Sequence, residues 1–263
     1  MGVEVRVEGL TKKFGSQVIW NDVSLTLPAG EISVMLGPSG TGKSVFLKSL
    51  VGLLKPEKGS IVINDVDLVR TSEHKLYEIR KLFGVLFQDG ALFGSMNLFD
   101  NIAFPLREHT RMSEPDIANE VHRQLVAVGL SDVDALLPRQ LSGGMIKRAA
   151  LARAIIMKPE ILLCDEPFSG LDPISVKRIE ALLQHINREL QITMLVSSHH
   201  IPSTMRMADQ VVLLLNKQAY IGSPAELQQS ADPRVAGFLN EEADDSGDTF
   251  AVESTASPRW VAS

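Results

Sequence analysis

The chain has 263 residues, of which 44% are hydrophobic and only 5% aromatic, so it can form one large domain or two small ones around a mostly aliphatic core. Its net charge of −6 argues against free nucleic acid as the main partner, because binding it usually requires a basic surface. The single cysteine, Cys164, excludes an internal disulfide, and no apolar segment approaches the ~18 residues of a membrane span, so we expect a soluble, cytoplasmic chain.

The first part of the chain predicts several strands and one helix. Valines alternate with charged residues over 3–7, which is typical of a half-buried strand, and 23–27 alternates in the same way. Residues 32–36 form an apolar run that predicts a buried strand, and a helix is predicted over 45–54.

The remainder of the chain predicts strands that alternate with helices, which indicates a largely parallel α/β sheet. Further strands are predicted at 61–63, 85–87, 161–164, 192–196 and 211–215, and helices at 74–82, 143–157, 174–190 and 203–208. Residues 98–139 differ, because they carry helical patterns without a clear strand, and we interpret them as an inserted helical subdomain.

A phosphate-binding loop lies between the strand at 32–36 and the helix that follows. Its glycines allow backbone amides to approach phosphate oxygens, while Lys43 reaches the β- and γ-phosphates and Ser44 offers its hydroxyl to Mg²⁺. The alternative is a glycine-rich turn without a ligand, but the strand before it and the helix after it favour the nucleotide site. The loop consists of Gly37, Pro38, Ser39, Gly40, Thr41, Gly42, Lys43 and Ser44.

Two adjacent carboxylates, Asp165 and Glu166, follow the apolar strand at 161–164. Carboxylates at the end of a buried strand are costly unless a cation and water compensate them. We expect Asp165 to hold Mg²⁺, directly or through water, and Glu166 to orient and polarise the attacking water as a general base. The alternative is a strand end that faces solvent with both acids hydrated.

A second glycine pair lies within residues 141–145, Leu-Ser-Gly-Gly-Met, at the predicted start of a helix. With this motif, the chain resembles ATP-binding cassette (ABC) ATPases over nearly residues 3–240. In that family the signature loop of one subunit faces the phosphate loop of another. The resemblance therefore implies that Ser142 and the amides of Gly143 and Gly144 contact the γ-phosphate across a dimer, the alternative being a helix cap without a ligand.

The residues around the signature glycines differ in one place from the family pattern. The family usually has glutamine where this chain has Met145, which leaves the expected contacts of Ser142 and the glycines unchanged. Lys147 and Arg148 are expected to add positive charge near the phosphate.

The resemblance implies a P-loop NTPase (RecA-like) ABC ATPase fold of the α/β class, with a β-strand-rich N-terminal part. The ATPase domain would span 1–240, with its core at 1–90 and 155–240 and the α-helical subdomain inserted at about 91–154. Residues 241–263 read as an acidic, mobile tail, because a charged run is followed by small and polar residues. Within it, Trp260 either docks on a neighbouring ATPase or belongs to an unstructured end.

The resemblance assigns two further catalytic residues. Gln88 matches the residue that links the Mg²⁺ site to a transmembrane partner, so the implied metal set is Ser44, Gln88 and Asp165; a surface glutamine is the alternative. His199 matches the switch histidine that contacts the γ-phosphate, although His200 follows it where the family usually has Asp. The alternatives are a structural histidine or His200 itself.

Two more positions match nucleotide contacts of the family. Phe14 matches the aromatic residue that stacks on adenine, and a core phenylalanine is the alternative. Asp172 ends the segment 169–172, which matches the loop that touches the opposite subunit, and a plain Asp-Pro turn is the alternative.

Five segments are more specific and resemble the ATPases of bacterial Mce/Mla lipid transporters: 87–93, 97–101, 105–110, 141–145 with Met in the fifth place, and 232–235 before Phe238 and Leu239. This resemblance implies two ATPases that drive two copies of a membrane permease, beneath envelope lipid-binding Mce-domain proteins. The chain would lie on the cytoplasmic face of the inner membrane and power the movement of a phospholipid, sterol or fatty acid. The alternatives are an importer ATPase for another solute and a soluble ABC protein acting on ribosomes or DNA. The single cassette without a heptad run or basic tract argues against the latter.

The coupling of ATP hydrolysis to the permease is expected at the junction between Gln88 and the helical subdomain. Four apolar residues follow Gln88, and several of them would form a groove for a short permease helix: Phe93, Met96, Leu98 and Phe99. The alternative is that they belong to the subdomain core, and of the four residues Leu98 and Phe99 are expected to be the most buried.

Overall fold

Ten strands and nine α-helices make up residues 2–244, the part of the chain that this computed structural model describes. The strands are β1 (Val5–Phe14), β2 (Gln17–Leu27), β3 (Ile32–Leu36), β4 (Lys58–Ile63), β5 (Val66–Asp67), β6 (Phe83–Leu86), β7 (Ile161–Asp165), β8 (Thr193–Ser197), β9 (Gln210–Leu215) and β10 (Gln218–Gly222). The helices are α1 (Lys43–Leu50), α2 (Glu73–Arg80), α3 (Leu98–His109), α4 (Glu114–Ala127), α5 (Gly143–Ile155), α6 (Pro173–Leu190), α7 (Ile201–Met207), α8 (Pro224–Gln228) and α9 (Pro233–Asp244).

Two sheets form the strand layers of the fold. The N-terminal sheet is antiparallel, with the order β2-β1-β4-β5. The second sheet has the order β10-β9-β3-β8-β7-β6, and all its pairs are parallel except β9 with β10. Its central strands β3, β7 and β8 are buried throughout. A parallel sheet that is covered on both faces buries both sides of its strands, which explains why these strands are continuous apolar runs. The predicted α/β class is confirmed.

The parallel sheet places four predicted site segments at one edge. The phosphate loop follows β3, Gln88 follows β6, the acid pair ends β7, and His199 follows β8. Because the carboxyl ends of parallel strands meet at the same edge of a sheet, residues far apart in sequence converge there.

Three hydrophobic cores hold these layers together. Alternate residues of β3 point to opposite faces of the sheet, with Val34 in the core beneath α6 and Met35 in the core shared with α1 and the N-terminal sheet. Cys164 is fully buried in the first core, as expected, and burial raises the pKa of its thiol to about 12. The third core lies among α3, α4 and α5 and is separate from the other two.

The C-terminal part of the described chain differs from the sequence prediction. Strand β10 and helices α8 and α9 were not predicted, and α9 continues to Asp244, so the expected boundary at 240 falls inside a helix. The pair Asp232-Pro233 starts this helix, since the Asp232 carboxylate accepts a bond from the Arg234 amide at 3.0 Å and proline is favoured in the first turn. Trp260 lies outside the described residues.

None of the helices within residues 2–244 is long and apolar enough to cross a membrane.

Candidate functional site

The phosphate loop requires glycine at specific positions. Gly42 has a φ of 95°, and a Cβ there would lie 2.3 Å from Ile19 and 2.4 Å from Trp20. At Gly37, with a φ of 151°, a Cβ would lie 2.5 Å from the carbonyl oxygen of Leu214. Both positions combine a conformation that favours glycine with a contact that no side chain can enter, so the loop wraps closely in front of α1.

Lys43 lies at the centre of this loop. Its ammonium donates to the carbonyl of Gly37 at 2.7 Å and lies 3.5 Å from the Glu166 carboxylate. The side chain is only 7% exposed, so this positive charge is directed into the loop and toward the acid pair.

The two carboxylates that end β7 have different surroundings. Asp165 accepts hydrogen bonds from the hydroxyls of Ser44 at 3.0 Å and Ser197 at 2.6 Å. Glu166 places one oxygen 2.8 Å from Nδ1 of His199, and its backbone amide donates to the Ser197 hydroxyl at 3.0 Å. The arrangement therefore separates an acid that shares a hydroxyl with the phosphate loop from one that faces a histidine.

A cavity of about 360 Å³ brings most of the predicted nucleotide residues together. Its lining includes Ser39, Gly40, Gly42, Lys43, Ser44, Gln88, Glu166 and His199. The lining also includes Ile19 and Val45, to which the sequence analysis assigned no role, and Ser169, the first residue of the segment expected to touch the opposite subunit. Ile19 and Val45 are ordinary members of an alternating strand and an apolar helix, and such positions carry no local signal for a site.

The signature residues do not line this cavity. The Ser142 hydroxyl caps α5 by accepting from the Met145 amide at 3.4 Å, and Ser142 and Gly144 line a separate recess with Ser175. Asp172 caps α6, accepting from the amides of Ile174 and Ser175 at 3.0 Å. The Ser175 hydroxyl and the two amides hold the pKa of the Asp172 carboxyl below its usual range.

Comparison with known proteins decides the family of the chain. The model of the ABC transporter family matches residues 20–169. The chain belongs to this family. As an ABC ATPase it binds and hydrolyses ATP, and the resemblance inferred from the sequence is confirmed.

Several named relatives of this ABC ATPase match along most of its length. It is 54% identical over 241 residues to the probable ribonucleotide transport ATP-binding protein mkl of Mycobacterium tuberculosis, covering 91% of this chain and 67% of that protein. It is 42% identical over 243 residues to the intermembrane phospholipid transport system ATP-binding protein MlaF of Escherichia coli, covering 92% and 90%. The corresponding MlaF of Haemophilus influenzae is 44% identical, covering 91% of each chain.

Solved structures of other ABC cassettes share the fold. A dimeric cassette in a post-hydrolysis state, bound to ADP and Pi, has a TM-score of 0.77 and 28% identity, covering 84% of this chain and 98% of that one. CbiO1 from Clostridium perfringens, part of the ABC transporter complex CbiONQ, has a TM-score of 0.78 and 26% identity, covering 90% and 98%.

In this ABC ATPase, Phe14 is not a core residue. The ring is 48% exposed at the end of β1, and the Lys12 ammonium lies 5.0 Å from its centroid. Phe14 is not part of the lining of the phosphate-loop cavity. Its stacking on adenine stays a prediction.

The two adjacent histidines have different environments. Whereas His199 faces Glu166, His200 turns away and caps α7, its Nδ1 accepting from the Ser203 amide at 3.1 Å. Its ring lies 6.2 Å from that of Phe168. Burial lowers the pKa of His200 most, and the positive charge of Arg206 lowers it further.

Lys147 and Arg148 are not the free positive charges that the sequence analysis expected. Lys147 is 5% exposed and donates to two carbonyls of its own chain, those of Gln88 and Glu166. Arg148 donates to the carbonyls of Val128 and Gly129. No sequence pattern marks a backbone carbonyl as the partner of a side chain, so these bonds were not predicted.

The apolar groove lies beside the phosphate-loop cavity, but its lining differs from the prediction. A cavity of about 690 Å³ runs between α2, β6, α3 and the end of α5. Phe93 lines it and is 43% exposed, whereas Met96 does not. Leu98 is fully buried in the third core and Phe99 packs against it, because the first turn of α3 faces α5. This is the core alternative that the sequence analysis left open for these two residues. The groove is completed by Tyr77, Phe83, Phe87, Phe104, Pro105, Arg153 and Met157.

Proposed function

We propose that this ABC ATPase powers a bacterial permease that moves lipids across the cell envelope. The observation that carries the proposal is the match to MlaF, which extends along about nine tenths of both chains. Ribonucleotide transport is the second candidate, because the relative named mkl is also similar over most of this chain. An ATPase does not contact the cargo, so its own site does not distinguish the two.

The domain arrangement proposed for this function follows the three hydrophobic cores. The ATPase domain spans 1–240, with its core at 1–90 and 155–240 and a helical subdomain at about 91–154. The separate core of α3, α4 and α5 supports the helical unit. Helix α5 contributes to both units, since Leu151 packs in the sheet core and Ala152 in the helical core.

The residues of the phosphate-loop cavity divide the work of hydrolysis. The loop amides and Lys43 bind the β- and γ-phosphates, and Glu166 orients the attacking water and accepts its proton. His199, held against Glu166, contacts the γ-phosphate. Gln88 lines the same cavity and couples the presence of the γ-phosphate to the position of the helical subdomain.

A magnesium ion fits the same edge of the sheet. Ser44, Asp165 and Gln88 would hold it with oxygen donors, the ligand type that Mg²⁺ prefers, and the 3.0 Å bond between Ser44 and Asp165 brings two of these donors together. When bound with ATP, the ion neutralises charge on the transferred phosphate.

A second copy of the chain completes each site. Ser142, Gly143, Gly144 and Asp172 lie outside the cavity of their own chain but at helix N-termini, where backbone amides favour an anion. A dimer would bring Ser142 and the two glycines to the γ-phosphate held by the other copy, and it would bring the segment ending at Asp172 against the opposite subunit. The dimeric state of a similar cassette supports this arrangement.

The permease would occupy the groove beside Gln88. Phe93, Phe104 and Met157 offer an apolar floor to a short amphipathic helix. With two copies of the permease, the ATPase dimer would lie on the cytoplasmic face of the inner membrane. It would act on Mce-domain proteins only through the permease, and nucleic acid is not a partner.

A transport assay tests the cargo. The chain is purified with the membrane permease that it binds and reconstituted in proteoliposomes. ATP-dependent movement of a fluorescent phospholipid and of a labelled ribonucleotide is measured in parallel. Phospholipid movement that needs ATP and disappears with Lys43→Ala supports the proposal. Movement of the ribonucleotide alone would replace the lipid with the second candidate.

A further inference from the structure

Lys147 joins two parts of the site that are far apart in sequence. It lies on α5, one turn after the signature residues, and its side chain is 5% exposed. The ammonium donates to the carbonyl of Gln88, just after β6, and to the carbonyl of Glu166, just after β7, at 3.1 Å. A buried ammonium without such partners would be strongly unfavourable, so these bonds fix its position.

The Glu166 backbone is held from both sides. Its φ of 47° is a left-handed conformation, which is strained for a residue other than glycine and persists only when the surrounding contacts hold it. Ser197 of β8 accepts from the Glu166 amide through its carbonyl at 3.2 Å and its hydroxyl at 3.0 Å, and Lys147 binds the Glu166 carbonyl from α5. The direction of the Glu166 carboxylate therefore depends on both contacts.

Helix α5 also holds the turn that follows Gln88. Arg153 donates to the carbonyls of Gly90 at 3.0 Å and Ala91 at 2.9 Å. Gly90 lies so close to the helix that a Cβ would approach Ile146 to 2.9 Å. A shift of α5 would thus carry with it the turn at 88–91 and the carbonyl of Glu166.

We propose that Lys147 is a positioning residue that ties the carboxylate of Glu166 to the Gln88 turn and to the signature helix. When the signature end of α5 closes on ATP held by the second copy, Lys147 sets the Glu166 backbone in its working position. The permease groove lies on the other side of the Gln88 turn, so the same link transmits the state of the permease to the water-activating carboxylate. This inference rests on the proposed roles of Glu166 and Gln88.

The test replaces Lys147 by methionine in the full chain with its permease. Lys147→Met keeps the apolar stem and removes the donor, and we expect kcat for ATP to fall about 100-fold while KM changes little, because a displaced catalytic group impairs chemistry more than binding. Lys147→Arg restores donors for both carbonyls and is expected to recover most of kcat. Binding of a fluorescent ATP analogue is measured for each variant.

Asn187→Leu is the matched control for loss of stability. The Asn187 amide also bridges two backbone carbonyls, those of Gly30 and Ile192 at 2.8 Å, but it lies outside the site. We expect this variant to melt at a lower temperature and to keep the wild-type kcat. A wild-type kcat for Lys147→Met would overturn the inference, and so would an equal loss of kcat in Asn187→Leu. In either case an inactive Glu166→Gln variant would still uphold the proposed function. Full activity of Glu166→Gln would overturn both.

Discussion

The two carboxylate oxygens of Glu166 face different groups: Oε1 lies 3.5 Å from the Lys43 ammonium, and Oε2 lies 2.8 Å from Nδ1 of His199. Neighbouring Asp165 is instead fixed by hydroxyls of Ser44 and Ser197. At the scale of single residues, the division of roles between two adjacent acids thus follows from their partners: one is committed to a hydroxyl of the phosphate loop, and the other faces the cavity.

Replacing Glu166 by glutamine tests this division. Glu166→Gln removes the base but keeps the size of the side chain, and a lost general base costs about 10²–10⁴ in rate. We expect ATP binding to persist, hydrolysis to cease almost completely, and an ATP-bound dimer to accumulate. Glu189→Gln, at an exposed position of α6, is the control and keeps its activity. Hydrolysis by Glu166→Gln at the normal rate within the transporter would refute the assignment.

Protonation of His200 removes the acceptor that caps α7. The pKa of His200 is lowered in the folded protein, so the unfolded chain binds this proton more readily. The contribution of the neutral His200 cap to stability is therefore complete above the unfolded pKa of 6.5 and is lost as the pH falls below that value. We expect Tm to fall further for the wild type than for His200→Asn between about pH 7.5 and 5.5, since an asparagine cap does not titrate. Identical pH profiles of Tm would show that His200 is not the titrating cap.

Among the elements, α3 and the turn before it separate two kinds of apolar residue. Leu98 is fully buried in the helical core, whereas Phe93 packs edge-on against Phe104, with ring centroids 5.1 Å apart, at the surface of the groove. The segment therefore stabilises the subdomain with one face and leaves the other exposed at the groove, where we propose that the permease binds.

A pair of substitutions distinguishes these two faces. Leu98→Ala leaves a cavity in the core and is expected to lower the free energy of unfolding by about 2–5 kcal/mol. Phe93→Asp changes an exposed side chain, so we expect near wild-type stability and ATP binding by the isolated subunit but loss of the permease in a pull-down. An intact, fully active complex of Phe93→Asp would exclude the groove as the permease site.

The sequence predicts the elements of this fold where the signal is local. The spacing of the phosphate loop and the buried runs before it and before Asp165 identify the site edge, because a motif and its flanking strand and helix lie within a few residues of each other. From the sequence, Leu98 is expected to be more buried than Phe93, but Met96 could not be separated from the groove residues, since only the packing of α3 on α5 decides which apolar side chains line the groove. The partners of Lys147 are carbonyls, which every residue has, so no local pattern predicts them. From the sequence, the acidic end of α9 is assigned to a tail, because composition does not reveal a helix that begins at Pro233.

At the scale of the whole molecule, the phosphate-loop residues and the signature residues line two separate cavities of one chain. The cavity formed by β3, β6, β7 and β8 includes Lys43 and Glu166 but none of the signature residues. Ser142 lies in a recess of its own at the start of α5. The central claim is that two copies complete each other, so that Lys43 of one copy and Ser142 of the other hold the same ATP.

Mixed dimers test this claim most directly. Dimers of one Lys43→Ala chain and one Ser142→Arg chain, isolated with two affinity tags, keep one site in which both motifs are intact, whereas each mutant homodimer keeps none. The control pairs a wild-type chain with a chain that carries both substitutions, which leaves a defect in each site. We predict ATP-bound closure and residual hydrolysis in the first mixed dimer and in neither the control nor the homodimers. Equal behaviour of the two mixed dimers would contradict a site shared between chains.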